Sequence, residues 1–296
     1  RLFANDLFFT IVRRPTIADN TSLGNLFKRN TVADAAERAR DKRELESARD
    51  ALLAALQPYG ARLMTAYALD GVNYSEPLEL LSFLFNGEMR PVSPNQSDLS
   101  RDIATRRISF GQDAIEFSAT SEQERGFAAL VSLKEYPLHT APGQLDVLYR
   151  LPHELAVTQS FTFIDRQAAL NRINLTLRRM RAADDEALSL QRDLTAAKDN
   201  VAAGRAAFGE HHQTVMVRAA TLDGLNEAVA DVQAALAEIG ILGARESIAL
   251  EPAFWAQFPG NSAFVGRKAL VSSANFASLA SCHNHPVGCA RDNHWG

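Results

Sequence analysis

Reactive side chains are densest near the end of the sequence. Two thiols and three imidazoles occur there within thirteen residues, namely Cys282, His283, His285, Cys289 and His294. Thiolate and imidazole are the ligands that zinc prefers, and a tetrahedral site needs four of them. The spacing matches no common zinc finger or ribbon, and a Cys-x6-Cys pair is not specific. A zinc site in this tail is therefore one hypothesis, and a structured linker without metal is the alternative that we favour.

Other catalytic patterns are incomplete. A phosphate-binding loop ends in Gly-Lys followed by Ser or Thr, but none of the five lysines follows a glycine. Gly260-Asn261-Ser262 begins like a nucleophile elbow, but Phe264 stands where the second glycine is required. His153-Glu154 begins like a zinc-protease helix, but Val157 replaces the second histidine. The sequence therefore assigns no catalytic, cofactor-binding or metal-binding residue to this chain.

Two further polar clusters favour structural roles. His211 and His212 precede a predicted strand, where adjacent side chains project to opposite faces, so they do not easily share one metal. We expect one of these rings to bond a backbone carbonyl. The arginines of a predicted helix are candidates for contact with nucleic acid, but no aromatic residues that stack on bases are interleaved with them. These arginines are Arg172, Arg178, Arg179 and Arg181.

The composition is that of a globular protein with a sizeable core. Of the 296 residues, 46% are hydrophobic and 22% are charged. The net charge of −4 gives no overall attraction to DNA or to an anionic membrane. No apolar run approaches the roughly 18 residues that span a bilayer. With only two cysteines, the default expectation is a reducing cytoplasm.

Two stretches of the sequence predict a β-α-β unit. In each, runs of β-forming residues flank a stretch with helical apolar periodicity, and Gly-Ala-Arg follows the helix. This similarity suggests two related lobes. The first unit has strands at Leu7–Val12 and Arg62–Leu69 around a helix at 31–57; the second has strands at 214–218 and 244–250 around a helix at 222–239.

Between these units the pattern predicts a mixture of strands and helices. A short apolar helix spans 77–86, a hairpin spans 108–117, and further strands span 127–136 and 155–164. Residues 166–203 are polar and helical, with apolar stripes that fall out of register across Asp184-Asp185-Glu186. We therefore predict two helices with a break, which either present a partner surface or pack on the sheet. The residues expected to be exposed on these arms include Arg172, Arg179, Asp185 and Arg192.

These elements predict an α+β fold of two related β-α-β-containing lobes with a long polar helical pair, followed by an irregular linker. We place the first lobe at 1–150, the second lobe with its helical arms at 151–260, and the linker at 261–296. Trp255, at the boundary before the linker, is expected to be largely buried and to anchor the tail.

A succession of motifs then identifies a family. Residues 254–261 read Phe-Trp-Ala-Gln-Phe-Pro-Gly-Asn, and Ser273-Ala274-Asn275-Phe276 and Asn293-His294-Trp295-Gly296 follow. Earlier matches are Asn5–Thr10, Pro77–Leu81, Asn86-Gly87-Glu88, Pro142–Leu145 and Gly209–His212. In this order they resemble the VirB/TrbE/CagE family, the large ATPases of type IV secretion and conjugal transfer systems. The resemblance covers the portion that precedes the RecA-like motor.

The resemblance implies a docking and assembly domain for an ATPase that energises channel or pilus assembly and substrate transfer. ATP and Mg²⁺ would bind in a C-terminal motor domain beyond Gly296, and this chain would hold no cofactor. The implied partners are inner-membrane subunits of the secretion channel, the protein's own motor domain and further copies of the protein. The implied location is cytoplasmic, at the periphery of the bacterial inner membrane. The resemblance leaves contact with DNA open, although the charge does not favour it.

Two functions of other classes remain as alternatives. A zinc-dependent enzyme would use the Cys/His tail, and a nucleic-acid-binding module would use the arginine-bearing helix. Metal analysis tests the first alternative, and steep salt dependence of DNA binding tests the second.

Replacing both Cys282 and Cys289 with serine tests the zinc hypothesis directly. We expect the thermal midpoint of unfolding to remain within experimental scatter, because we interpret these residues as occupants of a linker. If they instead hold structural zinc, the double variant will lose stability and metal together, since the binding energy of such a site is folding energy.

Overall fold

A computed structural model of the chain describes residues 7–12, 31–94, 98–118, 125–182 and 188–280. These residues divide into two compact units. The larger unit comprises Ser82–Glu88 and Ser100–Ser281, and the smaller takes in the described parts of Arg1–Leu81 and Met89–Leu99. The larger unit contains the main sheet, the helical arms and the principal hydrophobic clusters.

The smaller unit begins with the predicted long helix. Helix α1 spans Thr31–Leu56, and a 3₁₀ turn at Gln57–Tyr59 ends at Gly60 in the left-handed region. None of its described side chains is buried. Ion pairs one turn apart join Arg40 to Glu44 at 2.9 Å and Lys42 to Glu46 at 3.8 Å. The charged residues are therefore solvated, and such pairs contribute only a few tenths of a kcal/mol each.

A hairpin follows α1. Strands β1 (Ala66–Leu69) and β2 (Val72–Ser75) pair antiparallel around Asp70 and Gly71, which both have positive φ. Asp-Gly at the centre of a two-residue turn is a strong hairpin signal, because the tight turn requires left-handed residues. Tyr67 and Tyr74 stack across the strands with ring centroids 5.5 Å apart. The predicted strand at 62–69 thus exists in part, with a different neighbour from the expected one.

The predicted first strand, Leu7–Val12, is wrong. These residues have no strand structure in the described chain, and Leu7, Phe8, Phe9 and Val12 are all more than 40% exposed. A run of β-forming residues becomes a strand only where another strand satisfies its backbone. The first predicted β-α-β unit therefore lacks its opening strand, and the expected structural likeness of two lobes does not extend to it.

Helix α2 spans Glu76–Asn86, as predicted from its apolar pattern, and the short helix α3 spans Leu99–Ile103. The division between the two units falls within α2 and again within α3. Among the helices within the described residues, none is both long and apolar enough to span a bilayer.

One antiparallel sheet forms the centre of the larger unit. Its main path runs β3-β4-β5-β7-β6, with β8 also paired to β5 and β9 also paired to β7. The strands are β3 (Arg107–Phe110), β4 (Ile115–Ser118), β5 (Gly126–Glu135), β6 (Glu154–Phe163), β7 (Phe208–Ala219), β8 (Leu242–Arg245) and β9 (Ala269–Ser272). The predicted hairpin at 108–117 and the predicted α+β class are confirmed.

The second predicted β-α-β unit is present in a split form. Helix α7 (Leu222–Glu238) connects β7 to β8, and both strands pair antiparallel with β5, which lies between them. Thr221 caps α7 by accepting a hydrogen bond from the amide of Gly224. The sheet thus combines strands from both sides of residue 150, where the sequence predicted a boundary between lobes.

Helices cover both faces of the sheet, because side chains alternate between faces along each strand. On one face Val131, Val215 and Val217 pack with α7 and with α4 (Asp146–Tyr149). On the other face Leu130 and Met216 pack with α8 (Leu250–Trp255). The two helical arms lie at the far end of this second face.

The arms are two helices, as predicted. Helix α5 spans Arg166–Ala182 and helix α6 spans Leu188–Ala202, and residues 183–187 between them lie outside the described chain. The buried positions of α5 are Ala169, Ile173, Leu177 and Met180. The predicted stripe was Leu170, Ile173, Leu177 and Met180, so three of its members are confirmed, and Leu170 is only partly buried.

Residues 261–280, predicted as the start of an irregular linker, belong to the larger unit. Strand β9 pairs with β7, and α9 (Ser273–Leu279) follows directly. Ser272 caps α9 by accepting from the amide of Asn275, and Phe276 stacks on Phe161 with ring centroids 4.5 Å apart. The remainder of the predicted linker, including the Cys/His tail, lies outside the described residues.

The Phe-Trp-Ala-Gln-Phe-Pro-Gly-Asn motif forms an aromatic cluster. Phe254 is fully buried, and Phe85, Phe110, Trp255 and Phe258 surround it. The side chain of Asn261 donates to the carbonyl of Trp255 at 3.1 Å and fixes the turn. Trp255 is mostly buried, as expected, and packs against this cluster, while Phe254 lies at its centre; the role of Trp255 in anchoring the tail stays a prediction.

Alanine substitution distinguishes these two neighbours. We expect Phe254→Ala to lower the free energy of unfolding by about 3–5 kcal/mol, because a fully buried ring leaves a cavity. Trp255→Ala serves as the matched control and should cost clearly less, since its ring is partly solvated. Urea denaturation measures both, and equal losses would contradict this assignment.

Candidate interaction surface

The helical arms are fixed to the sheet along one side. Ala169, Ile173 and Leu177 of α5 cluster with Val201 of α6 and Phe208 of β7. All five side chains are less than 10% exposed. Burial on this scale contributes about 1.5–3 kcal/mol for each large apolar side chain. The alternative in which the arms pack on the sheet is therefore correct for this side of the pair.

Arg172 belongs to this attachment. Its guanidinium donates two hydrogen bonds to Oε1 of Glu210 on β7, at 3.0 and 3.1 Å, and Lys268 lies 3.6 Å from the other carboxylate oxygen. The hydrogen bonds from Arg172 hold the pKa of Glu210 below its ordinary value, and the Lys268 charge acts in the same direction. Arg172 therefore contacts acidic surface of its own sheet, and it is not a free residue of the outer face.

The opposite side of the arms is exposed and polar. Arg178 and Arg192 are exposed there, and Leu175 is 42% exposed. Arg179 is also exposed, on the same flank of α5 as Arg172, because the two lie seven residues apart. No ion pair of the described residues involves Arg179 or Arg192. The side chain of Arg181 and residue Asp185, both sequence candidates on these arms, lie outside the described part. The described arms thus combine an apolar attachment with exposed arginines on α5, which contains no acidic residue, whereas α6 balances Arg192 and Lys198 with Asp193 and Asp199.

The two adjacent histidines lie on opposite faces of β7, as predicted. His211 is fully buried, with its Nδ1 2.8 Å from the Tyr136 hydroxyl and its Nε2 3.3 Å from Oε1 of Gln159. The amide nitrogen of Gln159 donates to the carbonyl of Leu279, the last residue of α9. This arrangement assigns the His211 proton to Nε2, because the oxygen of Gln159 can only accept. A chain of hydrogen bonds therefore runs across one face of the sheet, from the end of β5 to the end of α9.

His212 makes the predicted contact with a carbonyl. Its Nδ1 lies 2.7 Å from the oxygen of Arg267, and its Nε2 lies 2.9 Å from the hydroxyl of Thr214. The guanidinium of Arg267 pairs in turn with the buried carboxylate of Glu246 at 2.6 Å. Each ring thus satisfies a local network on its own face. Within the described residues, no group of three or more His, Cys, Asp or Glu side chains is placed to hold a metal.

The Asn86-Gly87-Glu88 motif is a structural junction. The Asn86 side chain accepts from the amides of Thr105 and Arg106, both at 3.0 Å, and donates to the carbonyl of Ile103 at 2.6 Å. It is fully buried, so it satisfies backbone groups that would otherwise be costly.

Gly87 leaves room for a buried cation at this junction. A Cβ at Gly87, which has φ +79°, would lie 1.5 Å from Nη1 of Arg218. The guanidinium of Arg218 donates to the carbonyl of Asn86 at 3.0 Å and lies over the ring of Phe117. Burial lowers the pKa of Arg218. Glu88 completes the junction by pairing with Arg106.

The remaining sequence candidates do not converge on one site. His153 pairs with Asp231 of α7 at 2.8 Å, and Ser262 begins a 3₁₀ turn rather than a nucleophile elbow. The tail residues of the zinc hypothesis, Cys282, His283, His285, Cys289 and His294, lie outside the described chain. The prediction that this segment has no catalytic constellation stays a prediction.

Sequence reasoning missed three residues that organise this region. Tyr136, Gln159 and Glu210 were assigned only to strands or to a family motif, although each bonds a side chain distant in sequence. Polar residues at inward positions of a buried strand signal that partners must exist. Their identity depends on strand pairing, which periodicity alone does not give.

Comparison with known proteins places these features in a wider group. The sequence model of one protein family matches residues 62–267. This is the CagE, TrbE, VirB family, which is described as a component of the type IV transporter system. Type IV secretion system protein virB4 of Bartonella henselae is 34% identical over 298 residues, covering all of this chain and 38% of the relative.

Further relatives agree. Protein virB4 of Agrobacterium fabrum is 31% identical over 304 residues, covering all of this chain and 37% of that protein. Type IV secretion system protein PtlC of Bordetella pertussis is 33% identical over 226 residues, covering 76% of this chain and 27% of that protein. The chain therefore spans little more than a third of the length of the curated virB4 relatives that it matches.

Acidification tests the buried His211 network. Burial lowers the pKa of His211 from 6.5 to about 4. Between these values the unfolded chain takes up a proton that the folded chain does not, so the free energy of unfolding falls as the pH falls from about 6.5 to 4. The loss from this residue is about 3 kcal/mol at most.

His211→Gln provides the matched control, because glutamine can still form hydrogen bonds but does not titrate. Denaturation at several pH values should show a shallower decline for this variant than for the natural chain. Parallel declines would mean that His211 is already charged in the folded state.

Proposed function

The chain belongs to the CagE, TrbE, VirB family of type IV transporter components, and from this premise we propose that it is the N-terminal docking and assembly part of a type IV secretion ATPase. In this role the chain attaches the motor to the secretion channel during channel or pilus assembly and substrate transfer. The motor activity itself resides in a further domain of the protein.

The outer face of the helical arms carries this proposal. One side of the pair is anchored through Ile173, Leu177 and Val201, while Arg179 and Arg192 are exposed and have no ion pairs among the described residues. A rigid helix face with positive charge matches an acidic surface on a partner, where complementary charge gives specificity and speeds association. Leu175 supplies an exposed apolar contact within the same face.

The implied cofactors do not fit this chain. The standard phosphate-binding loop for ATP with Mg²⁺ ends in Gly-Lys-Ser/Thr, and no Gly-Lys pair occurs in the sequence. Nucleotide binding is therefore assigned to a separate motor domain, and no catalytic step is assigned to these residues.

The proposed partners are the inner-membrane subunits of the channel, the motor domain and further copies of the protein. The proposed location follows from the first of these contacts and is the cytoplasmic side, at the periphery of the inner membrane.

The sheet provides a route by which motor movement reaches the docking face. Helix α9 is attached to β6 through the stack of Phe276 on Phe161 and through the hydrogen bond from Gln159 to Leu279. The residues after α9 resemble the lead-in to the motor. Displacement of that segment would therefore act first on β6 and β7, to which the arms are also attached through Arg172 and Glu210.

Charge reversal on the arms tests the docking role. In the full-length protein, we expect Arg179→Glu with Arg192→Glu to reduce recovery of the inner-membrane subunits several-fold in pull-down from membrane extracts. The thermal midpoint should change little, because both side chains are exposed. Arg172 is excluded from this test, since its reversal would oppose Glu210 and disturb the fold.

The matched control is Arg101→Glu with Arg150→Glu, which makes the same change in charge at two other exposed positions of the larger unit. Recovery with this control should equal that of the natural protein. Equal recovery with both double variants would show that the arms are not the docking surface.

A further inference from the structure

The edge of the sheet at β6 is unusually open. β6 pairs with β7 through ten consecutive register positions without a bulge, and no described strand pairs with its other side. Between Leu155 and Phe163 it contains no charged residue and no proline. Phe163 is 70% exposed and Val157 is 37% exposed.

Natural proteins usually protect such an edge. Long uncharged edge strands can pair with another chain, so edges are commonly shortened, charged or bulged. The opposite end of this sheet follows that rule, because β3 has only four residues and begins with Arg107. The contrast within one sheet indicates that β6 is kept available for pairing.

The hydrogen-bond pattern identifies the backbone groups that face outward. The amide of Ile164 donates to the carbonyl of Phe208, so even-numbered residues of β6 bond to β7. In an antiparallel ladder alternate residues point to opposite sides. The outward groups are therefore the N–H and C=O of Leu155, Val157, Gln159, Phe161 and Phe163.

We propose that a second copy of this chain pairs with this edge, β6 to β6, around a two-fold axis at Gln159. Outward residues must then face outward residues, and centring the strands on Gln159 uses all of them. In this register Leu155 faces Phe163 of the other copy, and Val157 faces Phe161. Apolar residues thus meet apolar residues along one face of the joined sheet.

The other face of the strand is complementary in the same register. Thr158 faces Ser160 of the other copy, which brings hydroxyl groups together. An isologous contact of this kind closes as a dimer and does not propagate.

The size of the contact sets its strength. A strand of ten residues is about 33 Å long, and a sheet is about 10 Å thick. A strip of these dimensions is smaller than the ~800 Å² that each partner contributes to a standard interface. The β6 pair is therefore a concentration-dependent dimer, and it is independent of the docking role of the arms.

Proline at position 157 tests the pairing. Because the amide of Val157 points away from β7, Val157→Pro removes an outward donor while leaving the β6–β7 ladder intact. We expect sedimentation of the chain at tens of micromolar to show dimer for the natural sequence and monomer for this variant. Val157→Thr is the matched control and should remain dimeric, and Val157→Lys should be monomeric without any backbone change.

A disulfide tests the register. In a background with Cys282→Ser and Cys289→Ser, Thr158→Cys chains are mixed with Ser160→Cys chains and oxidised. These positions form a non-hydrogen-bonded pair with Cα atoms about 4.5 Å apart, within disulfide range. Cross-linked dimer should form in the mixture far more than in either pool alone.

Three outcomes would overturn the proposal. The first is a natural chain that stays monomeric at about 100 μM, and the second is a folded Val157→Pro variant that dimerises normally. The third is loss, in that variant, of a different protein from the membrane complex while self-association is unchanged, which would show that the edge receives a strand from another chain.

Discussion

The central strand β7 is the constraint on which the larger unit depends. It lies between β5 and β6, and its sequence carries the polar run Glu210-His211-His212-Gln213-Thr214 through the middle of the sheet. Buried polar groups are tolerated only where partners satisfy them. Side chains from both faces converge on β7 and satisfy most of this run, although both polar side-chain atoms of the buried Gln213 lack a hydrogen-bond partner among the described residues. The partners of this run include Arg172, Tyr136, Gln159, the Arg267 carbonyl and Lys268.

This convergence explains why the helical arms and α9 are attached at the same strand. Glu210 points to the face of the arms, and His211 points to the face of α9, because consecutive residues alternate. Two elements on opposite faces are thus fixed one residue apart. His211, whose ring contacts α9, and Glu210, which binds Arg172 of α5, are thus consecutive residues of β7.

Local patterns predicted local structure well. The helix α7, the two separate helices α5 and α6, and the hairpin of β3 and β4 all depend on patterns of neighbouring residues, and all were predicted. The β1–β2 hairpin was missed although Asp70-Gly71 signals it. The failed strand at Leu7–Val12 shows the opposite error, since strand-forming residues without an available partner strand do not form a strand.

Non-local pairing was beyond the sequence patterns. Nothing in the spacing of β7, α7 and β8 reveals that β5, from residues 126–135, lies between the two strands. The position of β5 between β7 and β8 determines which side chains meet at the candidate surface. It also places strands of both predicted lobes in one sheet. The motifs of the sequence identified the family but not their own structural roles. Asn86, for instance, is a family feature in the sequence and proves to satisfy the backbone at a buried junction.

The two candidate surfaces of the larger unit adjoin each other and rest on different physics. Only Ile164 and Asp165 separate β6 from α5, and the Asp165 carboxylate accepts from the amide of Gln167 at the start of that helix. The contacts proposed for the arms depend on side-chain charge. Added salt weakens them, because salt screens exposed charges and the screening length is already only about 8 Å at physiological ionic strength. Contacts of the β6 edge depend on backbone hydrogen bonds and apolar pairs, which salt affects little. A second copy on β6 would lie beside the first turn of α5 and place two sets of arms in one assembly. Two weak charged faces held together in this way bind a multivalent partner far more tightly than either face alone, because the second contact becomes intramolecular.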